Sequence, residues 1–344
     1  MKSILSIDIG SKNLHCVEGS YQNGKLSVKQ MQSFEIPKGC LNGELVDNVE
    51  LLSETIKDAI KKANFNYSEV VLTINACNAV VRDIDLPAGK PKEIEGMIKS
   101  ELLQTFNILP DDIIQFKPIE KIIGDVGVNL TRYRVTIVSR DIVSSYHHLV
   151  QASNLKVKAL DVNFNAIDKL LKNNVSINGN SIKDEAIMFI DYGHTFSTIY
   201  IKYNEDPVFY RHLTIGSGEI EKMLYEETRL PIEEFLRMKE NGYLFVKEDP
   251  NSPRYYAILK QYFHRFNDEI RKILSFYNSR TSASQVSSIY LFGKGSELEG
   301  LSEYFSSRLN VNVEMLKSIS NINEIDSEML LHPYINAIGA LIRL

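Results

Sequence analysis

The sequence predicts an α/β fold of two halves, each a mixed sheet flanked by helices, with an inserted α+β lobe and a second, mostly helical small lobe. Three observations predict it. The apolar run "SILSIDIGS" (3–11) breaks off at Asp8-x-Gly10. A second run, "AIMFIDYGHTFSTIYI" (186–201), repeats the pattern at Asp191-x-Gly193 and passes through a polar turn into another apolar strand. A third strand, "SSIYLFGKGSELEGL" (287–301), stops on Gly293-Lys294-Gly295-Ser296. A carboxylate at the end of a buried strand is strongly unfavourable unless a metal or a donor compensates it. Either the chain simply turns at these points, or something is bound there.

The remaining elements follow in order. Apolar residues Leu45, Val49, Leu52, Ile56 and Ile60 predict a helix over 45–63, and "VVLTIN" (70–75) a strand. Residues 79–158 read as the inserted lobe: "AVVRDIDLP", a helix from Pro91 to about Phe106, a turn at Pro110, and the alternating strand "RYRVTIV" (132–138). Residues 217–284 are mostly helical, and apolar positions from Tyr255 to Tyr277 trace one face of a helix roughly 35 Å long. After the third strand, Leu298, Leu301, Tyr304, Phe305 and Leu309 keep helical spacing, and "INAIGALIRL" (335–344) forms a last helix of small residues. The expected lobes are 1–78 with 159–184, 79–158, 185–216 with 285–344, and 217–284.

Composition narrows the function classes. A chain of 344 residues is too long for one core and suits two domains or four small lobes. The net charge of −5, with lysines and arginines scattered, argues against nucleic acid as a partner. Cys16, Cys40 and Cys77 are far apart and form no C-x-x-C, so neither disulfides nor zinc are indicated and a reducing cytoplasm fits. No signal-peptide core and no run of about 18 apolar residues occurs, so any membrane association is expected through a partner rather than by direct insertion. His147-His148 lacks acids at ligand spacing. The basic residues Arg254, Lys260, Arg265, Arg271 and Lys272 read as the wet face of the long helix, and Tyr255, Tyr256, Tyr262 and Tyr277 as packing with their hydroxyls at the edge.

Glycine lets backbone N–H groups approach a phosphate closely, and successive N–H groups in such a turn make an anion nest. An aspartate just before the glycine can hold Mg²⁺, usually through water. Two such turns facing each other would grip the β- and γ-phosphates, with Asp8 and Asp191 around the metal. Gly293-x-Gly295 would let base and ribose lie against backbone. One copy alone is compatible with an ordinary β-turn; the ordered trio argues for a site.

Segments 8–18, 159–171, 190–201, 289–300 and 333–343 resemble, in order, the phosphate-one, connect-one, phosphate-two, adenosine and connect-two motifs of the actin-like ATPase superfamily. The segment "VVRDIDLPAGKPKEIEGMIKSELLQTFNILPDDIIQFKPIE" (80–120) and the ending "LHPYINAIGALIRL" resemble the PilM family of type IV pilus assembly proteins, over essentially the whole chain. The FtsA family is similar but carries a C-terminal membrane-binding tail that is absent up to Leu344. The resemblance implies ATP and Mg²⁺ as cofactors: Asp8 and Asp191 at the metal, and Gly10, Ser11, Gly193, Ser197, Gly216, Lys239, Gly293, Gly295 and Ser296 at the nucleotide. His15 stands where the family commonly has lysine, and a neutral imidazole is a poorer phosphate partner. Lys12 is either a replacement cation or a solvated turn lysine. His194 and Phe196 make the second turn bulkier, with His194 expected to face solvent. Leu236 stands where a glutamate is usual, three residues before Lys239.

In "LDVNFNAID" the resemblance implies a carboxylate or amide that orients the attacking water, Asp161 or Asn163, with Asn163 at the position where relatives often have an acid. An amide cannot accept a proton, so hydrolysis is expected to be slow or absent. The resemblance further implies a partner, the N-terminal cytoplasmic peptide of the membrane protein PilN, held in a groove between the first main lobe and the inserted lobe. Other type IV pilus assembly proteins at the inner membrane are implied with it. An extended peptide would need a groove or a free strand edge, such as one beside 80–86 or 132–138. Two alternatives remain: an FtsA-like polymerising homo-oligomer, distinguished by nucleotide-dependent sedimentation, and a small-molecule kinase, distinguished by substrate-dependent ADP production. The kinase would need a substrate-activating carboxylate between the lobes, for which the sequence offers no candidate.

Overall fold

The computed structural model describes residues 3–74, 76, 78–105, 108–109, 111–123, 129–173, 175–204, 206–229, 252–280, 285–323 and 330–343. Chain order runs β1 (Ile4–Ile9), β2 (Asn13–Gln22), β3 (Lys25–Glu35), the short pair β4 (Leu41–Asn42) and β5 (Leu45–Val46), α1 (Val49–Ala63), β6 (Glu69–Ile74), β7 (Val80–Pro87), α2 (Pro91–Thr105), β8 (Ile113–Ile123), β9 (Asn129–Val138), α3 (Arg140–Ser153), β10 (Val157–Val162) and α4 (Asn163–Leu170). It continues with the short pair β11 (Ser176–Ile177) and β12 (Asn180–Ser181), β13 (Ala186–Tyr192), β14 (Ser197–Tyr203), β15 (Asp206–Leu213), α5 (Ser217–Thr228), α6 (Ser252–Arg280), β16 (Val286–Phe292), α7 (Leu301–Leu309), β17 (Asn312–Met315) and α8 (Ile335–Ala340). Single 3-10 turns sit at Lys294–Glu297 and His332–Tyr334.

Two five-stranded sheets share one topology. The first is ordered β10-β6-β1-β2-β3 and the second β15-β14-β13-β16-β17. In each, the opening strand runs antiparallel to its successor and parallel to a later one: β1 with β2 and β6, β13 with β14 and β16. Central strands covered on both faces read as continuous apolar runs, and β1 and β13 keep that run up to the aspartate near the C-terminal end. Asp8 faces His15 across the β1–β2 pair, and Asp191 faces Thr198 across β13–β14. The two Asp-x-Gly segments therefore echo each other because they occupy the same place in a repeated sheet.

One core gathers α4 and α8 with residues of both sheets, among them Val17 and Leu26 from the first and Phe189 and Tyr200 from the second. The helices approach closely because residue 339 is glycine: a side chain there would run into the Ala166 backbone carbonyl. A second core packs α5, α6 and α7 against β13, β14 and β16 through Leu224, Phe263, Phe266 and Phe305. Helix α6 has 29 residues, about 44 Å, longer than its apolar stripe suggests. Tyr262 and Tyr277 pack in the core as expected, but the Tyr262 hydroxyl is not at the edge: it is buried and donates to the Gly216 carbonyl (2.8 Å); the side chains of 252–256, Tyr255 and Tyr256 among them, lie outside the described residues.

The chain divides into two compact units, Met1–Pro37 with Thr55–Asn75 and Leu155–Leu344, and Lys38–Glu54 with Ala76–Asn154. In the second, a three-stranded antiparallel sheet, ordered β7-β9-β8, carries α2 on one face, where Ile94, Ile98 and Leu102 cover Leu86, Val135 and Ile137. Alternation places charge on the other residues: Arg134 pairs with Asp83 (2.8 Å), and Arg132 with Asp85 (2.8 Å) and Glu120 (2.7 Å). Strand β9 is the central one, paired on both sides, so residues 132–138 have no free edge, contrary to the sequence expectation; β7 and β8 are the outer strands. The helix expected from Leu45 starts at Val49, because Leu45–Val46 pairs with Leu41–Asn42 and the Asn48 carboxamide caps the helix by accepting from the Leu51 N–H (3.0 Å). Cys16 and Cys40 are buried and free, while Cys77 lies outside the described residues. Among the described residues no helix is long and apolar enough to cross a membrane.

Candidate functional site

The β1–β2 and β13–β14 connections are the same turn made twice: the Gly10 N–H donates to the Asn13 carbonyl (3.0 Å) and the Gly193 N–H to the Phe196 carbonyl (3.0 Å). Together with the turn at Gly293 they line a cleft of about 540 Å³, including space open to solvent. Gly293 adopts φ +84°, which favours glycine, and any side chain there would press on Asp191 Oδ1. Its N–H is held by the His332 carbonyl (3.0 Å), so the segment before α8 fixes this turn. Nine of the site residues expected from sequence line the cleft, Asp8, Gly10, Ser11, Lys12, His15, Asn163, Asp191, Gly193 and Gly293, and His194 and Phe196 line it with them.

The two aspartates come from opposite halves. Asp8 is buried and Asp191 half-buried. Burial, together with the charge of Asp191, pushes the Asp8 carboxyl up to about 8. Burial pushes Asp191 up to about 6, against the hydrogen bond from Asn336. Two amides span the gap. Asn336 Nδ2 donates to Asp191 Oδ2 (2.8 Å). With the Asn163 amide oriented so that its oxygen accepts from Asn336 (3.2 Å), its nitrogen donates to Asp8 Oδ1 (3.3 Å) and to the Ile74 carbonyl (3.1 Å). Asn336 was not found from sequence, and its only signal is an amide inside the apolar stretch "INAIGAL" of α8.

His15 is buried and held neutral, since burial and then the Lys294 charge push it down to about 4; its Nδ1 pairs with Ser33 Oγ (2.7 Å). Lys12 reaches Glu221 on α5 (3.4 Å), bridging from the first half to the second. His194 is half-buried rather than facing solvent, its ring lying against Gly218 at the start of α5. Ser197 is not brought to the cleft; its buried hydroxyl donates to the Ile215 carbonyl (2.6 Å). Gly216 lies behind the second turn, under the His194 carbonyl, and Gly295 lies against the Tyr192 carbonyl. Ser296 Oγ donates to the Gly293 carbonyl (2.6 Å), which shapes the third turn from behind. Lys239 and Leu236 lie outside the described residues.

Asp161 is the clearest departure. Its carboxylate accepts from Lys169 Nζ (2.6 Å), Arg343 (3.1 Å) and Asn165 Nδ2 (2.7 Å), and it does not line the cleft. It ties β10 to α4 and to the end of the chain instead of orienting water. Among the described residues no three His, Cys, Asp or Glu side chains gather as a metal cage. A cation at Asp8 and Asp191 would therefore draw most of its ligands from water and phosphate, as magnesium does. Desolvated paired carboxylates, a glycine in each turn and two lysines at the cleft fit a magnesium-bound phosphate chain.

A family model described as type IV pilus assembly protein PilM matches residues 6–335. Among solved structures, a PilM–PilN type IV pilus biogenesis complex is similar with a TM-score of 0.80 at 20% identity, covering 98% of this chain and 97% of that one. The ethanolamine utilization protein EutJ from Carboxydothermus hydrogenoformans superposes at TM-score 0.55 and 13% identity, covering 99% and 89%. MreB 5 of Spiroplasma citri bound to AMPPNP gives 0.53 at 10% identity, covering 98% and 95%. No curated protein matches the sequence significantly. The fold is that of the actin-like ATPases.

Proposed function

The chain belongs to the PilM family of type IV pilus assembly proteins, and from that premise we propose that it is an ATP-binding adaptor of the inner-membrane pilus assembly complex, with slow or no hydrolysis. The carrying observation is the pair Asp8 and Asp191, one from each half, joined through Asn163 and Asn336 across a cleft walled by glycine turns. Asp8 and Asp191 would hold Mg²⁺, largely through water. The Gly10 and Gly193 turns, with Ser11 and Lys12, would take the phosphates. Gly293, backed by Gly295 and Ser296, would face the nucleoside. Bound magnesium would supply the positive charge that both carboxylates and the phosphates require.

Slow turnover is favoured by what surrounds the two candidates for handling water. Asp161 is committed to Lys169 and Arg343, and Asn163 has no group that accepts a proton and is engaged with Asp8 and Asn336. PilN as partner is supported by the similar structure, which is a PilM–PilN complex. An extended peptide from its N-terminus would suit a strand edge, and β7 is an outer strand. Through PilN the protein would sit at the cytoplasmic face of the inner membrane with the other pilus assembly proteins. ATP would then alter peptide affinity only so far as it binds one conformation better than another.

The experiment is fluorescence anisotropy of a labelled peptide from the N-terminus of the same organism's PilN, with and without Mg-ATP. Saturable binding that shifts with Mg-ATP is the expected result. No binding in either state overturns the adaptor role, and nucleotide-dependent pelleting would then favour a filament.

A further inference from the structure

The cleft sets two carboxylates against a ligand that is itself strongly anionic, so its cations matter. Lys12 comes from the first half and is shared with Glu221. His15, in the wall of the same half, has its Nδ1 taken by Ser33 and brings no charge. The second half contributes Lys294, the residue enclosed by the glycines of the third turn, and it lines the cleft. Its charge acts on the His15 ring of the opposite half, which it helps to hold neutral.

The support behind Lys294 is a built one. Its Nζ lies 2.7 Å from Glu297 Oε1, one 3-10 turn onward. The same oxygen lies 3.4 Å from Nε2 of His332, which is 2% exposed. Burial works to raise the Glu297 carboxyl, yet the hydrogen bonds from His332 and Lys294 hold it below the usual carboxylate range. The turn cannot swing away, because Gly293 is pinned by the His332 carbonyl and Gly295 lies against Tyr192. The lysine side chain itself stays half-exposed, free to shift its ammonium from Glu297 toward an incoming anion.

We propose that Lys294 is the phosphate-binding cation of the second half: its ammonium, steadied by Glu297 and His332, meets the phosphate chain of a nucleoside di- or triphosphate opposite the Gly10 turn. With Lys12 it closes on the phosphates from both halves. This rests on the nucleotide reading of the cleft. A lysine serving only as a surface ion pair with Glu297 would contribute little and would not discriminate among ligands.

The test is calorimetric titration of the full chain and its Lys294→Ala, Lys294→Gln and Lys294→Arg variants with Mg-ATP and, separately, with adenosine. Lys294→Ala and Lys294→Gln should weaken Mg-ATP about tenfold to a hundredfold, the range for losing a hydrogen bond to a charged group. Adenosine affinity should not change, and Lys294→Arg should retain most of the Mg-ATP affinity. Unaltered Mg-ATP affinity in the Ala and Gln variants overturns the role of Lys294 while leaving the nucleotide site standing. An equal loss of Mg-ATP and adenosine also overturns it, since that marks a change in the shape of the turn. If the unaltered chain binds neither ligand, the nucleotide reading itself fails. The unliganded melting temperature shows that each variant is folded, and Lys294→Gln decides if Lys294→Ala is not.

Discussion

Asp8 and Asp191 occupy matching places in two repeated sheets, but their surroundings differ. Asp8 is the deeper, and its carboxyl is raised by burial and by Asp191 to about 8. A carboxyl raised on folding contributes stability that is fully present below its unfolded value of about 3.8 and is lost as pH climbs through about 8. His15 and His212, both held neutral near 4 by burial, act only at acid pH. Asp8, its carboxyl pushed up to about 8, therefore titrates across pH 6.5 to 8 in a cleft that it shares with Asp191, Lys12, His15, His194 and Lys294. The unliganded chain should lose thermal stability over that window, and Asp8→Asn should flatten the loss; an unchanged slope in melting curves would count against a desolvated carboxyl. Both aspartates were legible in the sequence because a charge interrupts an apolar run. Asn336 and Lys294 were not, because an amide in a helix and a lysine in a turn take on a role only from what folds opposite them.

At the scale of elements, the cleft depends on the two helices that carry its amides. Helix α4 begins at Asn163 and α8 carries Asn336, so the crossing of these helices sets the amide bridge between the aspartates. That crossing needs a bare backbone at Gly339 against Ala166. Gly339→Val should destabilise the protein by about 1–3 kcal/mol through overpacking, read as a lower denaturant midpoint, and should weaken Mg-ATP as well. A variant of full stability would show that the helices can part without consequence. The glycine was visible in "INAIGAL" as part of a small-residue helix, while its partner in α4 was not, since nothing in local spacing says which helix will cross it. Element boundaries slipped for similar local reasons: Leu45 keeps helical spacing with Val49 yet pairs in a hairpin, because the Asn48 cap starts the helix later.

At the largest scale, the larger compact unit joins two sheets of one topology through a shared core and leaves a cleft between their central turns. A ligand that bridges both halves binds the folded state and not the unfolded one, so it stabilises by mass action, about 2.7 kcal/mol at a hundred times its dissociation constant. Mg-ATP should raise the unfolding midpoint of the unaltered chain, and Asp191→Ala should abolish that rise while leaving a folded protein; a persistent rise in the variant would place the nucleotide elsewhere.

The sequence by itself determined the strands that lead into the turns, the three glycine turns, the aspartates that end two of those strands, and a family pattern running the length of the chain. These are local properties: apolar runs, turn residues and their order are fixed before any long-range contact forms. Only the tertiary structure decided which polar groups meet. Asp161, a candidate for positioning water, became an ionic tie because Lys169 and Arg343 arrive beside it, and the Ser197 hydroxyl turned inward to the Ile215 carbonyl. A buried polar group is satisfied by whichever partner the packing delivers, and those partners lie up to 182 residues away along the chain.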